Sequence, residues 1–292
     1  MKITIFTPTY IRGYRLPILY NSLKRQTSKD FIWLIIDDGS TDNTYLLVQE
    51  WIQKNEIKIE YFRQENQGKS QAHNKGVEFT KTELFTCVDS DDYLDDYTVE
   101  ELIKIWKKKE NDGIIGILAF KGQHNGKSLT TIKNRNIKST TLKAAYSNLG
   151  LKGDTMLIYN TEILSKYSFP KFKNEKFVPE AYLYDLLDKD GKLLLLRKTL
   201  YYCEYLEDGY TKNIAKLLVD NPNGYITFVN QRLLDDSKFI DKLKNTIRYT
   251  AMCMASEKNK YVREAVYPLI TILTWPLGYL FYKKRYKSIT KR

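Results

Sequence analysis

The stretch FTCVDSDDYLDDY, residues 85–97, sets five aspartates directly behind an apolar run. Grouped carboxylates repel one another, and any that is buried must be paired or bound to a metal. Asp95 and Asp96 suit the cap of a following helix. Asp89 and Asp91 flank the end of a strand, where charge is costly, and their i, i+2 spacing lets both reach one hard cation. Mn²⁺ or Mg²⁺ takes one or two carboxylates and leaves its other positions for phosphate oxygens. The chemistry expected at Asp89-Ser90-Asp91 is a metal, ligated by Asp89 and Asp91, that holds a diphosphate.

Elements that could position such a site precede it in the chain. KITIFT (residues 2–7) alternates with period two and reads as a strand, closed by Thr7-Pro8-Thr9-Tyr10. Leu16, Leu19 and Leu23 then recur at helical spacing. FIWLIIDD is a continuous apolar run, the mark of a strand covered on both faces. After it, Asp42 is placed to cap a helix with Tyr45, Val48, Trp51 and Ile52 on one stripe. IKIEYF (57–62), ELFTCVD (83–89) and GIIGILAF (113–120) read as further strands, and Val99, Leu102, Ile103 and Trp106 as a helix. Strands alternating with helices predict an α/β domain on a mostly parallel sheet, whose ligands bind at the carboxyl ends of the strands. The clusters at 7–10, 37–40 and 89–92 each follow a strand and should share one crevice.

Farther on, residues 122–139 turn polar and basic and read as a loop, DTMLIYN (154–160) as a strand, and a helix entered at Pro179 leads into another strand. The final third reads as helical from Asn221-Pro222-Asn223-Gly224. With 292 residues and 42% apolar content, the chain can build a large core. The formal net charge of +12 favours anionic partners without choosing among them. Cys87, Cys203 and Cys253 are far apart and form no CxxC pair, which fits a reducing compartment and argues against a disulfide framework. Only His73 and His124 exist, so a His-rich zinc site is excluded. The N-terminus is too short and too alternating for a signal peptide.

PTYIRGYRLPILYNSLKRQT, WLIIDDGSTDNT and NQGKSQAHNKGVEFTKTELFTCVDSDD occur in this order, each at a strand exit. Together they resemble the family 2 glycosyltransferases over about the first 210 residues. The resemblance implies a GT-A fold, a Rossmann-like nucleotide-sugar-binding domain with a mostly parallel sheet, at 1–212, followed by a helical C-terminal region at 213–292. It implies that Pro8, Thr9, Tyr10 and Asp38 cradle the uracil and ribose of a UDP-sugar donor. Asp and Tyr suit that task as hydrogen-bond acceptor and ring surface. Asn66-x-Gly68-Lys69 matches the family's N-x-G loop, where a small residue admits the donor. His73-Asn74 stands where the family has Arg-Asn, so Lys69 is the substitute cation and His73 a further donor contact. Asp89 and Ser90 complete the donor side.

The implied reaction is inverting transfer, in which a carboxylate removes the proton of the attacking hydroxyl. Glu180, directly after Pro179, matches the family's base at a helix start, with Glu175 and Asp154 as rivals. YYCEYLEDGYT resembles the segment that closes over the diphosphate. No histidine follows His124 to act there as a metal ligand, which leaves Glu207, Asp208 and Thr211 as candidates.

The C-terminal segment has no charge between Glu264 and Lys283, is broken by Pro268, Pro276 and Gly278, and continues into Lys283, Lys284, Arg285 and Lys287. It is short for a straight span. Trp275, Tyr279, Phe281 and Tyr282 suit a headgroup boundary, and the basic end an anionic cytoplasmic leaflet. A buried terminal helix or a subunit contact is the alternative. Deletion of residues 265–292 is expected to release the chain from anionic vesicles and improve its solubility, and, since every proposed catalytic residue precedes this tail, to spare activity on a short soluble acceptor. The expectation is therefore a metal-dependent enzyme, cytoplasmic and peripheral on the inner face of the membrane. It would move sugar from a UDP-sugar to a hydroxyl of a lipid-linked or polymeric glycan, with no nucleic-acid partner. A sugar-phosphate nucleotidyltransferase would want a Gly-rich loop where TPTYIRGYR stands. A basic nucleic-acid binder would leave the strand-end aspartates unused.

Overall fold

A computed structural model describes residues 1–109, 113–134, 136–204, 210–235 and 238–290, with the side chains of 210–212 excepted. The chain packs as two compact units, Met1–Ser168 with Leu183–Glu204, and Phe169–Tyr182 with Tyr205–Arg292.

In the first unit the order is β1 (Ile3–Thr9), α1 (Leu16–Arg25), β2 (Phe31–Asp37), α2 (Thr44–Lys54), β3 (Ile59–Arg63), α3 (Lys69–Phe79), β4 (Leu84–Cys87), β5 (Tyr93–Leu94) and α4 (Thr98–Trp106). β6 (Ile114–Gln123), β7 (Ser139–Thr140), α5 (Leu142–Asn148), β8 (Thr155–Asn160), α6 (Thr161–Leu164), α7 (Ala181–Leu187, its first two residues grouping with the second unit) and β9 (Lys192–Cys203) follow. One sheet carries the strands in the order β3-β2-β1-β4-β8-β6-β9-β5, with β7 beside β9. Its β3-β2-β1-β4 part is parallel throughout, and antiparallel pairing enters where β8 lies between β4 and β6. This is the expected α/β architecture.

The apolar run of β2 is buried at every position. Leu16, Leu19 and Leu23 of α1 seal one face, each contributing about 1.5–3 kcal/mol by leaving water. Tyr20 stacks on Trp51 at 4.2 Å between ring centres, and the Trp33 indole N–H reaches Thr7 Oγ1 at 3.0 Å. With Trp33 stacked on Trp51 at 5.7 Å, these contacts pin α1, α2, β1 and β2 together. The stripe expected on α2 is rotated, because Val48 and Trp51 are buried with Thr44 whereas Tyr45 is half exposed over Tyr61. The cap expected at Asp95 or Asp96 does not form. Tyr97 occupies the cap position of α4 without a side-chain bond, Asp95 accepts from the Tyr97 N–H at 3.1 Å, and Asp96 pairs with Arg25. Residues 122–139 hold more structure than a loop, with the end of β6, the start of β7 and bridges Gly122–Ser128 and Thr131–Lys152. The three cysteines are free thiols.

The second unit contains α8 (Tyr210–Asp220), α9 (Pro222–Asp235), α10 (Phe239–Ala255), α11 (Tyr261–Glu264), α12 (Pro268–Leu273), α13 (Trp275–Arg285) and α14 (Lys287–Thr290). Tyr225, Val229, Met252, Cys253 and Tyr286 share its core. A Cβ on Gly278 would lie 2.6 Å from Thr250 Cγ2, so α13 touches α10 where only glycine fits. Tyr286 is fully buried. The tail is thus packed into the core of this unit, so removal of residues 265–292 would uncover that core rather than improve solubility as expected. Among the described residues no helix is long and apolar enough to cross a membrane.

Candidate active site

Parallel pairing brings the strand exits of the first unit to one edge. Thr9 faces Asp37 in the β1–β2 register, and Phe6 faces Cys87 in the β1–β4 register. The pairing runs one step beyond the strands, with Asp38 N–H donating to Thr9 O at 2.8 Å and Val88 N–H to Phe6 O at 2.8 Å. The clusters at 7–10, 37–40 and 89–92 therefore do share one edge.

Around the β2 exit the acidic residues build the loops. Asp37 is fully buried and accepts from Ser40 N–H at 2.7 Å and the Tyr61 hydroxyl at 2.5 Å. Asp38 accepts from Gln64 Nε2 at 2.7 Å, Gln67 N–H at 2.9 Å and Gly68 N–H at 2.7 Å. It therefore clamps the loop that contains Asn66, Gly68 and Lys69. Gly39 and Gly68 have φ of 89° and 87°, a region an ordinary side chain avoids, and a Cβ on Gly39 would sit 3.2 Å from Asn66 N. Asp42 ties α2 to the β1 exit by accepting from Gly13 N–H at 2.9 Å and from the Thr44 hydroxyl and N–H. Burial opposes ionisation of Asp42, yet the bonds from Thr44 and Gly13 hold it below the usual carboxylate range.

At the β1 exit Thr9 Oγ1 is buried and has no hydrogen-bond partner among the described residues. Tyr10 beside it is half exposed, and Ile11 has a φ of 52°, strained backbone for a β-branched residue. His73 on α3 is buried, with its ring edge-on to Phe6 at 5.7 Å and to Phe85 at 5.3 Å.

Lys69, at the start of α3, pairs with Asp89 Oδ1 at 2.7 Å. Behind the acidic cluster stands Tyr201, fully buried on β9 and delivered there by pairing of β5 with β9. Its hydroxyl donates to Asp92 Oδ2 at 2.5 Å and accepts the Asp89 N–H at 3.0 Å. The Lys121 ammonium lies 3.8 Å from the centre of the Tyr201 ring. Desolvation works against a charge on Asp89, but Lys69 and Lys121 hold its carboxyl below the ordinary value. Asp91 is pushed up by burial and by the Asp89 charge. Burial and the same charge push Asp92 up to about 8.

Three carboxylates in series, two of them strained against ionisation, form a donor set short of positive charge. Among the described residues no group of three or more His, Cys, Asp or Glu could hold a metal alone. Mg²⁺ and Mn²⁺ are characteristically bound by one or two carboxylates, with substrate phosphates completing the shell. Carboxylate oxygen donors whose ionisation is opposed by burial and mutual repulsion fit a divalent cation at Asp89 and Asp91.

The sequence reading missed Tyr201 and Lys121 in this site. Lys121 directly follows the apolar run GIIGILAF, which is a faint signal, and Tyr201 in TLYYC carries none. Tyr201→Phe removes both bonds of the hydroxyl and leaves Asp92 buried without its donor. A cost of about 1–3 kcal/mol is expected, read as a lower Tm with weaker Mn²⁺-dependent nucleotide binding. An unchanged Tm would show that the hydroxyl does not brace the cluster.

Of the base candidates, Glu180 and Glu175 belong to the second unit. Glu180 is exposed in the turn that enters α7. Glu175 caps α9, its Oε1 accepting from Asn223 N–H at 2.9 Å and Asn223 Nδ2 at 2.7 Å, and its Oε2 from Gly224 N–H at 2.8 Å. Loss of such a cap costs about 0.5–2 kcal/mol. Glu175→Ala should therefore lower Tm while turnover per folded molecule persists, and lost turnover at an unchanged Tm would contradict the capping role. Asp154 is exposed ahead of β8, and its carbonyl accepts from the Thr130 hydroxyl. Glu207, Asp208 and the Thr211 side chain lie outside the described residues.

With this geometry in place, comparison with known proteins is decisive. The family model described as glycosyl transferase family 2 matches residues 4–168. The chain belongs to glycosyltransferase family 2. The enzyme is 26% identical to the GalNAc(5)-diNAcBac-PP-undecaprenol beta-1,3-glucosyltransferase of Campylobacter jejuni over 230 residues, 74% of this chain and 69% of that protein. It is 33% identical to the glycosyltransferase GlyG of Streptococcus pneumoniae over 116 residues, 39% of this chain and only 38% of that protein's length. The crystal structure of Staphylococcus aureus TarS 1-349 with UDP-GlcNAc superposes with a TM-score of 0.62 at 17% identity, covering 97% of this chain and 92% of that one. This glycosyltransferase therefore has the GT-A fold, with a helical C-terminal region.

Proposed function

We propose that this glycosyltransferase carries out metal-dependent, inverting transfer from a UDP-sugar to a hydroxyl of a lipid-linked or polymeric cell-surface glycan. The observation that carries the proposal is the charge-starved cluster Asp89-Asp91-Asp92, faced by Lys69 and Lys121 at the edge where β1, β2 and β4 end. A diphosphate with its cation supplies what such a cluster lacks. The unpartnered Thr9 hydroxyl, the exposed Tyr10 ring and the clamped 64–68 loop support a nucleoside lying along the β1 and β2 exits. The names of the Campylobacter and Staphylococcus relatives support a lipid-linked acceptor and a UDP donor.

In this proposal Asp89 and Asp91 would hold Mn²⁺ or Mg²⁺, which neutralises the departing diphosphate when bound. Pro8, Thr9, Tyr10 and Asp38 wall the base and ribose, Asn66 and Gly68 give the donor room, and Ser90 and His73 shape the donor side. Lys69 trades its pairing with Asp89 for the donor phosphates. Glu180 takes the proton as the acceptor oxygen bonds to the anomeric carbon, the bond from that carbon to the phosphate oxygen breaks, and UDP leaves with the electron pair. The exposed position of Glu180 at a helix entrance, and the commitment of Glu175 to a cap, support this choice. Residues 1–212 would form the transferase domain and 213–292 a helical region working peripherally at the inner face of the cell membrane.

Incubation with UDP-sugars and lipid-linked acceptors, with Mn²⁺ or EDTA, tests the proposal. It expects UDP release in Mn²⁺ alone and a product of opposite anomeric configuration by NMR. A product that retains the donor's configuration would overturn the single-displacement route.

A further inference from the structure

We infer that the outward face of α12 and α13 is a lipid-docking surface, on which Leu269, Ile272, Leu273, Leu277 and Leu280 enter the headgroup–acyl boundary of an anionic membrane. This rests on the membrane setting proposed above and names the surface that meets it.

The two helices are amphipathic in the reverse of the aqueous sense. A helix in water turns its large apolar residues inward and its small polar ones outward. Here the buried positions are Thr271, Thr274 and Gly278, whereas Leu269 is 76% exposed, Leu273 80% and Leu280 60%. The buried hydroxyls are satisfied within their own turns, Thr271 donating to Tyr267 O at 3.0 Å and Thr274 to Ile270 O at 2.7 Å. Small residues facing a neighbouring helix, with bulky apolar ones facing out, are the arrangement of helices bathed in lipid. A contiguous apolar face of this kind is rare on a soluble surface without a partner.

Charge and length select the occupant. No charged residue falls between Glu264 and Lys283. Exposed Lys260 and Arg263 precede the apolar face and exposed Lys283, Lys284 and Arg285 follow it, with Glu264 the acidic neighbour. Trp275 and Tyr279 stack at 5.5 Å at the rim, and the indole N–H donates to the Tyr261 hydroxyl at 2.9 Å. An apolar face bordered by aromatic and basic side chains complements an anionic bilayer surface. The helices have six and eleven residues. At about 1.5 Å per residue, neither spans a hydrocarbon core of about 30 Å. They lie in the interface.

The test is flotation of the full chain with vesicles of phosphatidylglycerol and phosphatidylcholine. Wild type is compared with Leu273→Glu/Leu277→Glu and with Lys283→Glu/Lys284→Glu, and circular-dichroism melting and UDP binding are recorded for each. All substituted side chains are exposed, so the fold and the nucleotide site should be unchanged. The leucine pair should lower vesicle binding at least about tenfold, given the apolar area withdrawn from lipid. The lysine pair should weaken it mainly at low salt. If wild type floats and the leucine pair floats equally well, this face is not the docking surface although the membrane setting stands. If wild type stays with the soluble fraction on every vesicle, both fall. If the leucine pair instead converts a dimer to a monomer in light scattering without altering flotation, the face belongs to a second copy and the inference is overturned.

Discussion

Asp91→Asn is expected to abolish Mn²⁺-dependent UDP binding while leaving the fold intact. The amide keeps the volume and one carbonyl oxygen but loses the charge that a hard cation requires. Even partners of metal ligands are worth about 10–100-fold in affinity, so loss of a ligand itself should exceed about 100-fold. Stability should move the other way. Burial and the Asp89 charge both oppose ionisation of Asp91, and a neutral side chain relieves both. A Tm equal to or above that of wild type, with nucleotide binding gone, separates a functional carboxylate from a structural one. Retained Mn²⁺-dependent affinity would remove the cation from Asp91.

Glu180→Gln should spare donor and metal binding and lower turnover by about 10²–10⁴-fold, the usual worth of a general base. Gln keeps the shape and polarity of the helix entrance, so Tm should hardly move. The contrast with Glu175 makes the result informative, since that carboxylate already accepts three hydrogen bonds at the start of α9. Damage there should appear in the melting curve and damage at Glu180 in kcat. Turnover that survives Glu180→Gln and collapses in Glu175→Gln would transfer the role of base to Glu175.

Much of this was legible in the sequence because it depends on periodicity and order along the chain. The apolar run of β2 announced a strand buried on both faces, and polar clusters behind three strands announced a shared edge once the sheet was parallel. What depends on rotation of a helix, or on distant pairing, was not legible. Tyr45 and Thr44 are neighbours, and which of them turns inward on α2 is decided by the Tyr20-Trp51-Trp33 stack, a tertiary contact. Tyr201 reaches Asp92 across 109 positions through the β5–β9 pairing, and no local pattern encodes that bond. The tail displayed its composition openly, but not that Gly278 would pack on α10 and that Thr271 and Thr274 would be buried while the leucines turn outward.

The aspartates behind β4 are proposed to hold a cation that holds the diphosphate of a uridine nucleotide. Calorimetric titration of UDP into the full chain, in Mn²⁺ and then in EDTA, with GDP as control, tests this. Saturable UDP binding in Mn²⁺, lost in EDTA and weak or absent for GDP, is the predicted result. UDP binding of equal strength in EDTA, or a preference for GDP, would contradict it.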